Sequence, residues 1–206
     1  PKIVGVNMDV RQAGTKEIEF IKHCPSCKTT LIRKEGEAQH YCPNETGCEP
    51  QIIGKLEHFV SRKAMDIESI GVETIVLLHK ANLLNNIADF YSLKKEDILP
   101  LERMAEKSAQ NIITSVEKSK EQPFEKVLYA IGIRHVGETV AKKLVKHFQT
   151  IDRLMQASTE ELVAVPDVGE KIALSITEFF KDEQHQSIIQ RLRNENLNFE
   201  IGEEAK

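Results

Sequence analysis

Four cysteines fall within 25 residues, and their type and spacing predict the clearest chemistry of this chain. They are Cys24, Cys27, Cys42 and Cys48, with two, fourteen and five residues between them. A C-x-x-C knuckle followed by a second cysteine pair is typical of a tetrahedral zinc site. Because four thiolates fill the coordination shell, we predict a structural zinc ion with no open position and therefore no catalysis there.

Two other interpretations of the cysteines stay open. In a secreted chain they would pair as disulfides, but the chain does not begin with a secretory signal. Cys24 and Cys27 could form a redox pair, but the strand–helix pattern of a thioredoxin-type site is not around them. His23 and His40 adjoin the cysteines and could replace a ligand, although four thiolates already complete the shell.

A second pattern, repeated four times, predicts backbone donors rather than reactive side chains. Aligning the chain on Gly71, Ala105, Gly137 and Gly169, here termed the hairpin position, gives spacings of 34, 32 and 32 residues. A period of this length indicates a repeat array. At −7, −4, −1, +4 and +7 from the hairpin position the copies carry Ala64, Ile67, Ile70, Ile75 and Leu78; Ile98, Leu101, Met104, Ala109 and Ile112; Ala130, Ile133, Val136, Ala141 and Leu144; Leu162, Val165, Val168, Ala173 and Ile176.

These positions predict helix-hairpin-helix geometry. Positions −7 and −4 form the inner face of a short first helix, and positions +4 and +7 form that of a second helix beginning at +1. We expect glycine at the hairpin position to permit a backbone conformation that other residues resist. The start of the second helix then offers unpaired N–H groups and the positive end of the helix dipole to an anion. A nucleic-acid phosphate fits such a site without base readout.

The candidate phosphate contacts are the residues at −1 and 0 of each hairpin and the cations near them. They are Ile70, Gly71, Met104, Ala105, Lys107, Arg134, Val136, Gly137, Lys142, Lys143, Val168, Gly169 and Lys171, with Arg103 as a further cation. The alternative is a repeat that only packs or binds protein. The run from Gly132 to Thr139 has the glycine spacing of an NTPase loop, but Glu138 replaces the required lysine and would repel a triphosphate.

Composition limits how nucleic acid could be bound. The chain has 206 residues, 40% of them hydrophobic, and a net charge of −4. A general nucleic-acid coat protein would be basic, so binding must come from local geometry, local cations or neighbouring domains. No stretch is apolar enough to cross a membrane. The first residue is proline rather than methionine, so we expect a piece of a longer chain.

The elements that position these residues are mainly helical. We predict a mainly α fold, in which four tandem helix-hairpin-helix repeats follow a small four-cysteine zinc finger with short β-strands. Residues 1–23 read as an extended arm with strands at Lys2–Val6 and Ile18–Ile21. Helices are expected at 72–80, 87–91, 106–118 and 124–130, after a capping box at Ser158–Glu161, and around 188–192.

The ordered set of motifs resembles the zinc-finger and helix-hairpin-helix region of the bacterial NAD-dependent DNA ligase family. The likeness covers about residues 21–195. It is carried by the four-cysteine module and by the runs Phe59–Asp66, Leu101–Asn111, Leu128–Glu138 and Val165–Gly169. In that family the hairpin position is usually glycine. Ala105 therefore predicts a weaker phosphate site at the second hairpin, and Ile75 at +4 predicts a wider helix crossing in the first repeat.

The resemblance implies a domain organisation. Residues 1–20 would be the end of an OB-fold domain and a linker, 21–55 the zinc finger, 56–195 the helix-hairpin-helix DNA-binding domain, and 196–206 a linker to a BRCT domain. The adenylation domain, most of the OB-fold domain and the BRCT domain would lie outside this sequence, as partners in the same chain.

The resemblance also implies a role in sealing nicks in duplex DNA during replication and repair, in the bacterial cytoplasm at the nucleoid. This chain would grip backbone phosphates of nicked duplex DNA across the minor groove. NAD and magnesium would act only through the missing catalytic domains, whose lysine lies in a Lys-x-Asp-Gly motif. The nearest run, Lys95–Ile98, lacks the glycine, so we expect the chain alone to be inactive. A free-standing DNA-structure-binding protein of repair or recombination and a protein-interaction array remain alternatives.

Overall fold

The computed structural model describes residue 5 and residues 7–33 and 36–202. It divides into two compact units, residues 1–48 and 49–206. Residues 49–55, which we had assigned to the zinc finger, therefore belong to the second unit. The strand predicted at Lys2–Val6 lies outside the described residues except for Gly5. Within the described ranges, no helix is long and apolar enough to cross a membrane.

The first unit contains little regular structure among its described residues. Its one helical element is a 3-10 turn at Met8–Val10, capped by Asn7. The predicted short strands of the zinc finger are reduced to two isolated antiparallel bridges, His23 with Thr30 and Ile32 with Tyr41. The strand predicted at Ile18–Ile21 is wrong, because those residues have no pairing partner and Ile18 is 85% exposed.

The second unit is built from helices joined by short turns. The bounds of α1 to α10 are Glu49–Val60, Val72–Lys80, Lys95–Ile98, Glu106–Ser119, Phe124–Ala130, Glu138–Phe148, Ile151–Gln156, Thr159–Val163, Glu170–Lys181 and Glu183–Asn194. A 3-10 helix at Ile87–Ser92 lies between α2 and α3. The predictions for α2 and α5 match these bounds.

The helices pack in the pairs that four hairpins require. Contacts join α1 to α2, α3 to α4, α5 to α6, and α8 to α9, while α10 packs on α9 and on the 3-10 helix. In every copy the side chains at −7, +4 and +7 are buried, with exposed fractions of 0 to 1%. The apolar periodicity therefore identified the core-facing side of each repeat, and the predicted fold class of four helix-hairpin-helix repeats is confirmed.

The first helix of each repeat does not reach position −4, which we had placed on its inner face. Position −4 lies in the turn rather than on the helix in all four copies. In the first repeat position −7, Ala64, is also in the turn that follows α1. In the other three copies the helix ends at or close to position −7, and the −1 N–H donates to the −4 carbonyl oxygen over 3.0 to 3.1 Å. This single-turn hydrogen bond tightens the hairpin and keeps the −4 side chain facing inward.

The predicted capping box at Ser158–Glu161 is confirmed, and a second capping box also fixes α10. Ser158 and Glu161 form a reciprocal capping box at the start of α8, and Asn86 and Asp89 form another at the 3-10 helix. Asp89 Oδ1 also accepts a hydrogen bond from Arg191 Nη2 of α10 over 2.8 Å. A capped turn between the second and third helices is thereby tied to the last helix of the chain.

Residues after α10 are packed where we predicted a linker. Leu197 and Phe199 are 6% and 8% exposed, and Glu200 forms an antiparallel bridge with Thr150. The Ile151 N–H donates to the Phe199 carbonyl oxygen over 2.9 Å, and the Ile201 N–H donates to that of Gln149 over the same distance. The apolar residues at 197, 199 and 201 alternate with polar ones, which is a pattern that buries one side of an extended segment. Residues 203–206 lie outside the described ranges.

Candidate metal centre and nucleic-acid interface

The four cysteines of the first unit converge on one point. Their Sγ atoms all lie within 4.8 Å of one another. Cys24 Sγ is 3.8 Å from Cys48 Sγ, and Cys27 Sγ is 3.4 Å from Cys42 Sγ. These separations are too long for a disulfide bond, and they approach the roughly 3.8 Å that tetrahedral zinc with bonds of about 2.3 Å requires. The donor set therefore fits a structural zinc ion held by four thiolates.

Backbone hydrogen bonds form the two knuckles that bring the cysteines together. In the first, the Lys28 N–H donates to the Cys24 carbonyl oxygen over 3.0 Å, and Lys28 takes a positive φ of 63°. In the second, the Cys48 N–H donates to the Asn44 carbonyl oxygen over 3.1 Å. A Cβ atom at Gly47 would lie 2.8 Å from Asn44 Oδ1, so a larger residue there would displace the Asn44 side chain, which accepts a hydrogen bond from the Gly47 N–H.

The environment of the thiols differs within the cluster. Hydrogen bonds from the side chain and backbone of Thr29 lower the pKa of Cys27 to about 6. Burial instead raises the pKa of Cys42 to about 12. Zinc binds thiolates, so its binding would release the protons that the cysteines retain. His40 stacks on Phe20 with ring centroids 5.3 Å apart, and neither His23 nor His40 belongs to the cysteine cluster.

The hairpin position itself adopts an ordinary extended conformation, which corrects the role we assigned to glycine. The φ values at Gly71, Ala105, Gly137 and Gly169 are −96°, −87°, −83° and −84°. The positive φ of each hairpin falls two residues earlier, on non-glycine residues, at 66°, 63°, 66° and 67°. Those residues are Ser69, Arg103, His135 and Asp167. Glycine at the hairpin position is therefore not needed for the turn.

Glycine at the hairpin position is better explained by the open space outside the backbone than by backbone strain. A Cβ atom added at Gly71, Gly137 or Gly169 would meet nothing within 4 Å. All three are exposed, as is Ala105, which shares their conformation. The missing side chain thus leaves the hairpin backbone open from the outside, which allows another molecule to approach closely.

The helices that begin at the hairpins lack side-chain caps. The N-cap residues of α2, α4, α6 and α9 make no side-chain hydrogen bond to the start of the helix. The same holds for Lys94 and Pro123 before α3 and α5, whereas Thr150, Ser158 and Asp182 cap α7, α8 and α10. Uncapped N–H groups and the helix dipole favour an anion at the same place, so the four hairpin helices are candidate anion sites.

The predicted −1 residues contribute backbone and packing rather than exposed side chains. Ile70, Val136 and Val168 are 7%, 5% and 3% exposed, and Met104 is half-buried against the core. These apolar side chains hold the turn onto the two helices. A ligand at the hairpin would therefore meet the exposed backbone and the surrounding cations.

Several of the predicted cations lie in ion pairs. Lys142 Nζ is 3.1 Å from Glu138 Oε1, and Lys143 pairs with Asp167 of the next hairpin. Arg103 Nε is 3.6 Å from Glu102 Oε1. Lys107 and Lys171 are exposed in the first turns of α4 and α9, and Arg134 is half-buried in the third hairpin.

Sequence reasoning missed one cation at the third hairpin. Lys63 Nζ lies 3.8 Å from Glu138 Oε2, although Lys63 belongs to the turn after α1. The two residues are in different repeats, so periodicity gives no signal that they meet.

The fold and the site together define a protein with a four-thiolate zinc finger and tandem helix-hairpin-helix repeats. Residues 23–49 match the family model described as the NAD-dependent DNA ligase C4 zinc finger domain. Residues 126–189, which contain the third and fourth hairpins, match that of the helix-hairpin-helix motif. The zinc finger is thus of the NAD-dependent DNA ligase type, and structural zinc is its metal.

Curated relatives agree with this assignment along nearly the whole chain. The chain is 55% identical to a DNA ligase of Christiangramia forsetii over 99% of its length, and 56% identical to one of Flavobacterium johnsoniae over 98%. A DNA ligase of Parabacteroides distasonis is 53% identical over 99%. The chain spans 30 to 31% of the length of these relatives. The resemblance to NAD-dependent DNA ligases is therefore confirmed for this region.

Proposed function

We propose that this chain is the zinc-finger and helix-hairpin-helix part of an NAD-dependent DNA ligase, which seals nicks in replication and repair. In this proposal the hairpins bind the phosphates of nicked duplex DNA across the minor groove, without reading bases. The zinc ion holds the finger in one conformation and takes no part in chemistry. The protein works in the bacterial cytoplasm at the nucleoid.

The observation that carries the proposal is the set of four exposed hairpins whose helices start without a side-chain cap. The starts of α3 and α5 also lack such a cap but do not lie at these hairpins, and α7, α8 and α10 are capped. Each uncapped helix start offers N–H donors to a phosphate, and a set of four suits a polymer that carries phosphates at regular spacing. The identity to DNA ligases makes DNA the favoured polymer.

The rest of the ligase reaction belongs, in this proposal, to domains beyond the sequence. An adenylation domain would bind NAD and magnesium and carry the lysine that accepts AMP. Residues 1–20 would then lead from an OB-fold domain, and the residues that follow the packed segment at 197–201 would lead towards a BRCT domain. The chain alone would bind DNA without sealing it.

Fluorescence anisotropy of labelled duplexes tests the proposal directly. The chain should bind a nicked duplex and a second nicked duplex of unrelated sequence with the same affinity. That affinity should fall steeply as salt rises, because bound phosphates release counterions. An intact duplex of matched sequence reports whether the nick itself adds affinity. Binding that depends on sequence, or that is independent of salt, would contradict the proposal.

The net charge of −4 favours one competing function, a protein-interaction array. In that case the hairpins would only pack or contact protein, and the chain would not bind the labelled duplex. A free-standing protein that binds DNA structures would instead prefer a branched duplex over a nicked one. Including a four-way junction in the same titration distinguishes it.

A further inference from the structure

Charge is distributed unevenly over the four hairpins, although their folds are alike. Between positions −4 and +7 the first repeat, residues 67–78, has two glutamates and neither lysine nor arginine. The third repeat, residues 133–144, has Arg134, Lys142 and Lys143 against the single acid Glu138. In a chain of net charge −4, a polyanion must be drawn to local cations. The third hairpin is therefore the strongest candidate among the four.

Two lysines, one from α6 and one from outside the third repeat, pair with Glu138, the first residue of α6. Lys142 Nζ, one turn along α6, lies 3.1 Å from Glu138 Oε1. Lys63 Nζ, from the turn after α1, lies 3.8 Å from Glu138 Oε2. The pKa of Glu138 is lowered chiefly by the hydrogen bond with Lys142, and further by the charges of Lys63 and Lys126 of α5. Two separate elements, α6 and the turn after α1, thus each place a lysine beside one carboxylate.

This cluster contributes little to holding the fold. The exposed fractions of the Lys63, Lys142 and Glu138 side chains are 74%, 58% and 41%. Ion pairs this exposed are worth little in stability, because water screens them and the long side chains lose freedom. The lysines can therefore exchange the Glu138 carboxylate for another anion at low cost.

A nucleic-acid phosphate is the anion that the surroundings favour. Gly137, directly before Glu138, is exposed, and a Cβ atom there would meet nothing within 4 Å. A phosphate beside it would come close to the cluster while remaining attached to a chain of further phosphates. Each lysine that moves from Glu138 to such a phosphate adds one neutralised charge and the release of its counterion.

We infer that Lys63 completes a phosphate subsite at the third hairpin, and that Glu138 is an internal anion which occupies Lys63 and Lys142 until a duplex phosphate displaces it. The inference rests on the proposed function, which it makes specific to one hairpin. Lys63 then links the first repeat to DNA through the third hairpin, and Glu138 limits the affinity of the chain.

Salt titrations of duplex binding with three variants test the inference. Lys63→Ala should weaken binding to every sequence and reduce the slope of log affinity against log salt by about one. Lys146→Ala is the matched control, because Lys146 is an exposed lysine at the other end of α6, and it should change neither quantity. Glu138→Gln should tighten binding about fivefold at low salt by removing a like charge from the phosphate. The effect of Lys63→Ala should be larger in Glu138→Gln, since the lysine is then available to DNA.

The outcomes separate this inference from the function on which it rests. If Gly137→Asp weakens duplex binding while Lys63→Ala behaves as Lys146→Ala does, the subsite is wrong and the proposed function stands. Glu138→Gln that weakens binding without lowering the melting temperature would also overturn the inference, because Glu138 would then be assisting DNA. If the unaltered chain does not bind duplex, both the proposed function and the inference fail.

Discussion

Tyr91 Oη and Ser119 Oγ lie 2.9 Å apart inside the second unit, and this pair joins the 3-10 helix to the end of α4. Ser119 is 2% exposed and Tyr91 is 8% exposed. Its hydroxyl also lies 2.6 Å from the Val116 carbonyl oxygen, to which it donates. Ser119 Oγ is therefore the acceptor for the Tyr91 hydroxyl, and both buried hydroxyls are satisfied.

Removing the two hydroxyls separately should have unequal effects on stability. Tyr91→Phe leaves Ser119 still donating to Val116, so it should cost about 1 kcal/mol. Ser119→Ala leaves the buried Tyr91 hydroxyl without its acceptor and should cost about 1–3 kcal/mol. The double variant should be no less stable than Ser119→Ala. Urea unfolding of the three variants measures this, and equal costs for the two single changes would contradict the assigned direction of the hydrogen bond.

The same pair predicts a loss of stability in alkali. Burial raises the pKa of Tyr91 above its ordinary value. The pKa of Tyr91 is higher in the folded chain than in the unfolded chain. The stability that its neutral hydroxyl contributes is therefore complete below the unfolded pKa of about 10, and it is lost as pH rises from there towards the folded pKa. The free energy of unfolding should fall by at most about 1.4 kcal/mol per pH unit from this group. Tyr91→Phe should flatten that part of the pH profile, and an unchanged profile would exclude Tyr91 as its cause.

Zinc removal should affect the first unit alone. A strong chelator should release one zinc ion per chain and unfold residues 24–48, since structural zinc contributes folding free energy directly. The helical signal in circular dichroism should persist, because residues 49–206 form a separate compact unit. Cys24→Ser should give the same result without chelator. Metal analysis with NMR measures both effects, and an ordered finger in metal-free protein would contradict the assignment.

Glycine substitutions at the hairpin should separate stability from binding. At Gly137 a side chain meets nothing, and the backbone already has the extended conformation of a helix cap. Gly137→Asp should therefore keep or slightly raise the melting temperature, because aspartate is a better cap than glycine by a few tenths of a kcal/mol. It should weaken duplex binding roughly 10- to 100-fold by placing a carboxylate where the phosphate binds.

Two controls accompany that variant. Gly137→Ala reports the steric part alone, and Gly169→Asp repeats the test at the fourth hairpin. Ala105→Gly should tighten binding slightly if the methyl group weakens the second hairpin. If Gly137→Asp lowers stability and affinity together, the glycine serves the fold and the proposed site is wrong.

Because the hairpins are proposed to bind DNA while other domains carry out the chemistry, a hairpin substitution should slow only one step of a complete ligase. Gly137→Asp in the full-length protein should slow the sealing of nicks, because DNA is held less tightly. Transfer of AMP from NAD to the lysine should be unchanged, since no DNA takes part in that step. Single-turnover assays of the two steps compare them, and a parallel loss would show that the repeats do more than hold DNA.

Periodicity and spacing predicted what is common to all copies of the repeat. The buried residues at −7, +4 and +7 follow from a pattern that only a core-facing side explains, and the cysteine spacing anticipated a cluster that the folded chain does form. Periodicity and spacing did not predict the contacts between repeats. Lys63 meets Glu138, and Lys143 meets Asp167, through packing of elements that no short-range pattern relates.

The backbone of the hairpin shows a different limit of sequence reasoning. Glycine at a turn suggests positive φ, yet here Ser69, Arg103, His135 and Asp167 adopt it two residues earlier. Tertiary packing of the −1 and −4 side chains fixes the turn and overrides the local preference. The burial of Leu197 and Phe199 was missed for a related reason, because a short alternating segment after a helix resembles a linker until its partner strand is known.

In each hairpin the strained residue and the outward-facing residue are different, so the repeat has two positions that can be engineered independently. Ser69→Gly should relieve a left-handed conformation that costs a side-chain-bearing residue about 1 kcal/mol, and it leaves Gly71 unchanged. Substitution at the hairpin position instead acts mainly on how closely another molecule can approach the backbone. A synthetic array of such repeats could therefore be made more heat-resistant at one position and graded in affinity from hairpin to hairpin at the other.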